Sequence, residues 1–186
     1  RALGENNVRN ALAACTVGLC LGLPFGVIAD GLSQFDGVQR RLQVCGEHGG
    51  VTVIEDYAHH PTEIASTLQA IRWVKPKRVI CIFQPHLYSR TKFFAHDFAK
   101  VLQDTDLTFV TDIYPSREKA MPGVDSSLIV NHARELGAEQ VELVNDYRDV
   151  PGLLIPQLVS GDVVLVLGAG DINKVVAPLL QGMAEH

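Results

Sequence analysis

Two hydrophobic rhythms divide the chain near residue 40. Over 6–23, small and apolar residues fall on nearly every side of a helical projection, and after Pro24 a second helical pattern runs over 25–35. A helix that is apolar all round must be buried in something larger. Residues 1–39 therefore read as the end of a neighbouring domain, and a start at Arg1 rather than Met agrees with a chain cut from a longer one. From Arg40 onward, β-branched runs alternate with helical periodicities. Runs at 42–45 and 51–54, separated by Glu47-His48-Gly49-Gly50, predict a hairpin. Further strands are predicted over 78–83, 107–111, 141–144 and 163–167, with helices over 62–74, 91–103, 125–136, 147–158 and 171–183. The alternation predicts an α/β unit over 40–186, a mostly parallel sheet with helices on both faces, preceded by the helical pair.

Composition narrows the class. With 186 residues, 47% of them apolar and 20% charged, the chain can bury one substantial core and part of a second. A net charge of −5 with scattered Lys and Arg gives no nucleic-acid footprint. The longest apolar stretch, 11–23, is interrupted by Gly18 and Gly22 and ended by Pro24, so no membrane span is expected; it also lacks the basic leader of a signal peptide. Cys15, Cys20, Cys45 and Cys81 lie among apolar neighbours without a C-x-x-C pair, as buried reduced thiols of a cytoplasmic protein would.

The chemistry concentrates in the loops that leave the strands. In a parallel sheet the carboxyl ends lie along one edge, where ligands of open α/β sheets bind. The run Val51-Thr52-Val53-Ile54 leads into Asp56-Tyr57-Ala58-His59-His60, and Pro61 can open a helix whose apolar positions are Ile64, Leu68 and Ile71. The next strands lead into Gln84-Pro85-His86-Leu87-Tyr88-Ser89-Arg90-Thr91, Asp112-Ile113-Tyr114-Pro115-Ser116-Arg117-Glu118 and Gly168-Ala169-Gly170-Asp171. Arg90 suits a planar carboxylate or phosphate, because its fork donates two parallel hydrogen bonds; a surface ion pair is the plain alternative. For the first loop the plain alternative is that Asp56 caps the helix, Tyr57 packs and the histidines are solvated. The glycines of Gly168-Ala169-Gly170 fit close strand-to-helix packing as well as a phosphate cradle. Of Arg40 and Arg41, which point different ways in an extended segment, at most one reaches a phosphate at the domain joint. No G-x-x-x-x-G-K-[ST] loop and no metal-ligand spacing such as H-E-x-x-H occurs, so no metal site is expected in this chain.

Three strings together, Asp56-Tyr57-Ala58-His59-His60-Pro61-Thr62-Glu63, Phe83-Gln84-Pro85-His86-Leu87-Tyr88-Ser89-Arg90-Thr91 and Gly168-Ala169-Gly170-Asp171-Ile172, resemble the carboxyl-terminal part of the Mur ligase family, in its alanine-adding branch. Upstream, Gly4-Glu5-Asn6-Asn7-Val8-Arg9-Asn10-Ala11-Leu12-Ala13-Ala14 looks like the helix closing that family's central ATPase domain. The resemblance implies a Rossmann-like terminal domain of an ATP- and Mg2+-dependent amide ligase of peptidoglycan synthesis in the bacterial cytoplasm. Its partners would be UDP-N-acetylmuramate, L-alanine and ATP, with the phosphate loop and metal ligands on domains missing from this chain, so that the chain alone is inactive.

Carried over by position, the resemblance places Asn7 and Asn10 near adenine, Arg41 at the ATP phosphates and Asp56 at the ribose. His86 and Arg90 would lie at the reacting centre or the incoming alanine, with Tyr57, His59 and His60 shaping that pocket. Two positions depart from the family pattern: Asn6 stands where His is usual, and Leu87 where Arg is usual. Leu87 leaves open a ligase for a different amino acid or peptide, and fold alone leaves open a stand-alone nucleotide- or amino-acid-binding module.

Overall fold

The computed structural model describes residues 4–186, apart from the side chain of Asn6. Two helices, α1 (Glu5–Cys20) and α2 (Phe25–Ser33), precede a hairpin of β1 (Gln43–His48) and β2 (Val51–Asp56). There follow α3 (Pro61–Arg72), β3 (Arg78–Phe83), α4 (Tyr88–Leu102), β4 (Leu107–Val110), α5 (Ser127–Glu135), β5 (Val141–Leu143), α6 (Val150–Leu154), β6 (Asp162–Leu167) and α7 (Val176–Glu185). The strands form one six-stranded sheet in the order β1-β2-β6-β3-β4-β5. Only β1 runs antiparallel to its neighbour. This is the mostly parallel α/β sheet expected from the alternating pattern.

The hairpin turns on Gly49 and Gly50, whose φ angles of 58° and 77° are left-handed. That geometry matches the twist of the flanking strands and favours glycine at both positions. Glu47 and His48, expected in the turn, continue β1 instead.

Side-chain alternation splits the core across the sheet. Val79, Cys81 and Phe83 of β3 with Val163, Leu165 and Leu167 of β6 face α3, α4 and α5, meeting Ile64, Leu68, Ile71, Phe98, Leu102 and Ile129. Ile80, Ile82, Val164 and Val166 face the other way, onto Val150, Leu154, Val175, Leu179 and Met183. Strands buried on both faces need an unbroken apolar run, which is how β3 and β6 read.

Three helix predictions shift in detail. The helix expected over 147–158 is a 3₁₀ turn (Tyr147–Asp149), the short α6 and a second 3₁₀ turn (Ile155–Gln157). Pro151 and Pro156 withhold the amide donors that a continuous helix requires. The last helix opens as a 3₁₀ turn (Ile172–Val175) before α7, and α4 begins at Tyr88, three residues before its expected start at 91. In the amino-terminal pair a Cβ on Gly18 would lie 2.8 Å from Ile28, so α1 and α2 meet closely at that point. Elsewhere Val8, Leu12, Val17, Leu19 and Phe25 are each more than half exposed. Among the cysteines, all unpaired, only Cys81 is buried as expected; Cys15 and Cys45 are half-buried and Cys20 is exposed. No helix among the described residues is long and apolar enough to cross a membrane.

At the amino edge of the sheet, Arg78 Nε and Nη2 donate to the two carboxylate oxygens of Asp162 at 3.0 and 2.5 Å. The Asp162 side chain is fully buried and also accepts from the Val159 amide at 2.9 Å. Burial by itself would raise the Asp162 pKa, but the Arg78 bonds and the Val159 amide outweigh it and hold the carboxyl below its ordinary range. A depressed carboxyl pKa contributes stability above the unfolded value that is lost as pH falls through the folded one. Arg78→Met should therefore cost about 2–4 kcal/mol at neutral pH by leaving a buried carboxylate unpaired. Urea unfolding at pH 7 checks this, and the loss should shrink as pH approaches 3.

Candidate functional site

Strand register builds the site. Asp56 pairs with Leu167, Leu167 with Phe83, and Phe83 with Val110, so four parallel strands end on one row. The next residues, Tyr57, Gly168, Gln84 and Thr111, open the four loops along a common rim. The pairing continues beyond the strands as a bridge between His86 and Tyr114.

The glycine turn after β6 is packed, not open. A Cβ on Gly170 would lie 2.3 Å from Gln84 Oε1 and 2.5 Å from Tyr114 Cγ, so only glycine fits beneath these side chains. Gln84 spans the turn, donating to Asp171 at 3.0 Å and accepting from the Ile172 amide at 3.1 Å. On the other side Arg40 Nη2 donates to the carbonyls of Gly168 and Gly170 at 2.7 and 3.2 Å.

Four of the expected residues, Tyr57, His59, His86 and Arg90, converge beside this turn. The His59 and His86 rings approach edge to face at 5.6 Å, and Tyr57 meets His59 at 5.4 Å. Tyr114 stacks on His86 with centroids 5.8 Å apart. His59 Nδ1 lies 2.9 Å from the Tyr57 carbonyl. A carbonyl can only accept, so this nitrogen carries a proton, which Glu63 Oε2 also approaches at 3.4 Å. His86 Nδ1 is buried with no hydrogen-bond partner among the described residues. Burial, then the Arg90 charge and His59, push the His86 pKa below the ordinary imidazole value against a smaller opposing pull from Glu118. Arg90 is half-buried and donates a long 3.4 Å bond to the His59 carbonyl, which leaves most of its fork for a ligand.

Distant residues fix where α4 begins. Glu118 accepts from the Ser89 amide at 2.9 Å and from the Ser89 hydroxyl, tying the third loop to the first turn of α4. Leu87 precedes that turn with a φ of 72°, a left-handed conformation unusual outside glycine. Its amide donates to the Tyr114 carbonyl at 3.0 Å, and its own carbonyl accepts from the amide and hydroxyl of Thr91 at 3.1 and 2.9 Å.

His60 stands apart from the ring cluster. It is the N-cap of α3, its ring accepting from the Thr62 amide at 3.3 Å while Glu63 accepts from the His60 amide, and it packs on Phe94 at 4.8 Å. A ring committed to the helix end is not available to shape the pocket around His86. The cap considered for Asp56 thus belongs to His60, and Asp56 does something else. Its carboxylate accepts from the amides of Leu42 and Ala58, each at 2.8 Å, stitching the linker to the end of β2. Burial raises its pKa, opposed by those two amides and by Arg41.

Asp56 also lines a cleft of about 650 Å³ together with Asn7, Asn10, Arg41, Glu63 and Thr67. The cleft lies between α1 and α3, floored by the linker and the end of β2, and Asn7, Asn10, Arg41 and Asp56 all line it. The departure at Asn6 falls on a side chain outside the described part of the structure. Sequence reasoning misses Tyr114 and Gln84 as site residues, although both lie in rim loops, and it weighs Arg40 only as an alternative to Arg41 at a phosphate, not as a clamp on the glycine turn. Among the described residues no three His, Cys, Asp or Glu side chains are grouped to hold a metal ion.

The sequence model of the family described as Mur ligase, glutamate ligase domain matches residues 40–170. This chain belongs to the Mur ligase family. Curated relatives include the UDP-N-acetylmuramate–L-alanine ligases of Desulforapulum autotrophicum, 43% identical over 97% of this chain and 40% of that protein, and of Salinibacter ruber, 47% identical over 91% and 36%. The crystal structure of the UDP-N-acetylmuramate-alanine ligase of Thermotoga maritima superposes with a TM-score of 0.83 at 29% identity, over 98% of this chain and 38% of that one. The chain thus spans about two-fifths of the length of the Mur ligases it matches.

A depressed histidine pKa means that the unfolded chain takes up the proton first as pH falls. Stability conferred by neutral His86 is therefore full above the unfolded value, about 6.5, and is lost as pH drops through the folded one. Between pH 7.5 and 5.5 the melting temperature of the wild-type chain should fall more than that of His86→Gln, which cannot take up the proton; equal falls would mean that His86 stays solvated.

Proposed function

We propose that this chain is the carboxyl-terminal part of an ATP-dependent ligase of the bacterial cytoplasm that joins L-alanine to the lactyl carboxylate of UDP-N-acetylmuramate. In this reading residues 1–39 are the last helices of the central nucleotide domain, and 40–186 form the domain that closes over the reacting groups. The observation that carries it is the pairing of two unlike sites at one rim, an Asn- and Arg-lined cleft against α1 and a histidine–arginine group beyond it. Relatives named as alanine-adding ligases, 43–47% identical, support the choice of amino acid.

ATP, as co-substrate, transfers its γ-phosphoryl group to the lactyl carboxylate with release of ADP, and the alanine amine attacks the acyl carbon of the resulting acyl phosphate and expels inorganic phosphate. This chain's residues supply position and charge. Asn7 and Asn10 offer amide hydrogen bonds to the base, and Arg41 offers its fork to the phosphates. Asp56, with both oxygens already bonded to backbone amides, holds the cleft wall and can reach a ribose hydroxyl only through its remaining lone pairs. Arg90 pairs with the carboxylate of alanine, while neutral His86 presents a ring nitrogen able to accept a hydrogen bond from its ammonium. The metal ion that the family resemblance implies does not fit the described residues, and no step runs through it.

In the full-length protein, ADP release should require both UDP-N-acetylmuramate and L-alanine, and the 186-residue chain alone should show none; turnover by the short chain, or alanine-independent turnover, defeats the reading. In that same protein Arg90→Ala should raise the KM for alanine on the order of 10- to 100-fold, as the loss of a charge-assisted hydrogen bond does, with little change in melting temperature. A collapsed melting temperature with an unchanged KM would make Arg90 a structural residue.

A further inference from the structure

Arg40 and Arg41 are adjacent in sequence and opposite in use. Arg40 has a φ of 59° and Leu42 one of 46°, so two left-handed residues flank Arg41. Such backbone persists outside glycine only where the surroundings enforce it, and here the enforcement is centred on Arg40. Its Nε donates to Glu55 Oε1 at 2.5 Å, its Nη2 to the Gly168 and Gly170 carbonyls, and its guanidinium carbon lies 4.9 Å from the centre of the Tyr57 ring. The Arg40 backbone is held as firmly, its amide donating to Gln43 Oε1 at 2.8 Å and its carbonyl accepting from the Tyr57 amide at 2.7 Å. With Arg40 turned into the sheet, Arg41 faces the cleft with Asn7, Asn10 and Asp56, its guanidinium carbon 5.9 Å from the same Tyr57 ring.

We propose that Arg40 is a positioning residue: its clamp on Glu55, the glycine turn and Tyr57 imposes the linker conformation that aims Arg41 into the nucleotide cleft. The inference rests on the ligase reading in taking ATP as the ligand of that cleft. Arginine suits the task because one planar group reaches three acceptors in fixed directions while its face lies on an aromatic ring, which a lysine ammonium cannot do. Glu55 neutralises the charge, so Arg40 itself has none to spare for a phosphate, whereas Arg41 is exposed.

The test is a double-mutant cycle in the full-length protein, read as the Kd for ATP by calorimetry and as melting temperature. Arg41→Met should weaken ATP binding by about tenfold, as expected for one charge-assisted contact. Arg40→Met should weaken it comparably, and the double variant should bind no more weakly than Arg41→Met alone. The melting-temperature loss from Arg40→Met should be the same with or without Arg41. Factors that multiply in the double variant, or a lowered melting temperature with ATP affinity intact, overturn the proposal. Should Arg40→Met fail to fold, Arg40→Lys carries the same cycle. A wild-type protein that does not bind ATP sinks the ligase reading together with this inference, whereas multiplying factors in a wild-type that binds ATP sink the inference alone.

Discussion

The constraint on which the rest depends is the common register of four parallel strands. Backbone hydrogen bonding aligns Asp56, Leu167, Phe83 and Val110 on one row, and every loop that carries chemistry leaves from that row. Loops tens of residues apart in sequence thereby begin at the strand spacing of about 5 Å. Shifting one strand by a residue would exchange its two buried faces as well as displace its loop, so the two halves of the core resist any slip that would blur the site. Packing and positioning are one requirement in this sheet.

Three arginines illustrate how the acceptors within reach decide use. Arg40, between Glu55 and two carbonyls, is spent on holding loops together. Arg78, at the opposite edge, neutralises a buried carboxylate. Arg90 has only one long bond to the protein among the described residues and stays available. Charge alone does not separate these roles; the number of acceptors already in reach does.

Much of this was legible in the sequence, for physical reasons that differ by feature. Strands β3 and β6 announce themselves because a strand covered on both faces must be apolar throughout, and the hairpin is marked by its two glycines. The rim could be anticipated because a parallel sheet leaves its carboxyl ends on one side. What stayed hidden depends on partners far along the chain. The early start of α4 needs Glu118, and the packed state of the Gly168–Gly170 turn needs Gln84 and Tyr114. His60 acts as a cap although serine, threonine, asparagine and aspartate are the usual choices, so its helix-end role gave no familiar signal. The division of labour between Arg40 and Arg41 rests on left-handed backbone at residues other than glycine, which no local pattern marks.

The two margins of the sheet have a consequence of their own. On one side β1 carries an irregularity between Val44 and Gly46; on the other β5 is only three residues long. A kinked border and a stunted one both make poor templates for an incoming extended chain. Association through the margins of this sheet is thereby discouraged, and growth into fibrils by lateral β-pairing is blunted at both ends.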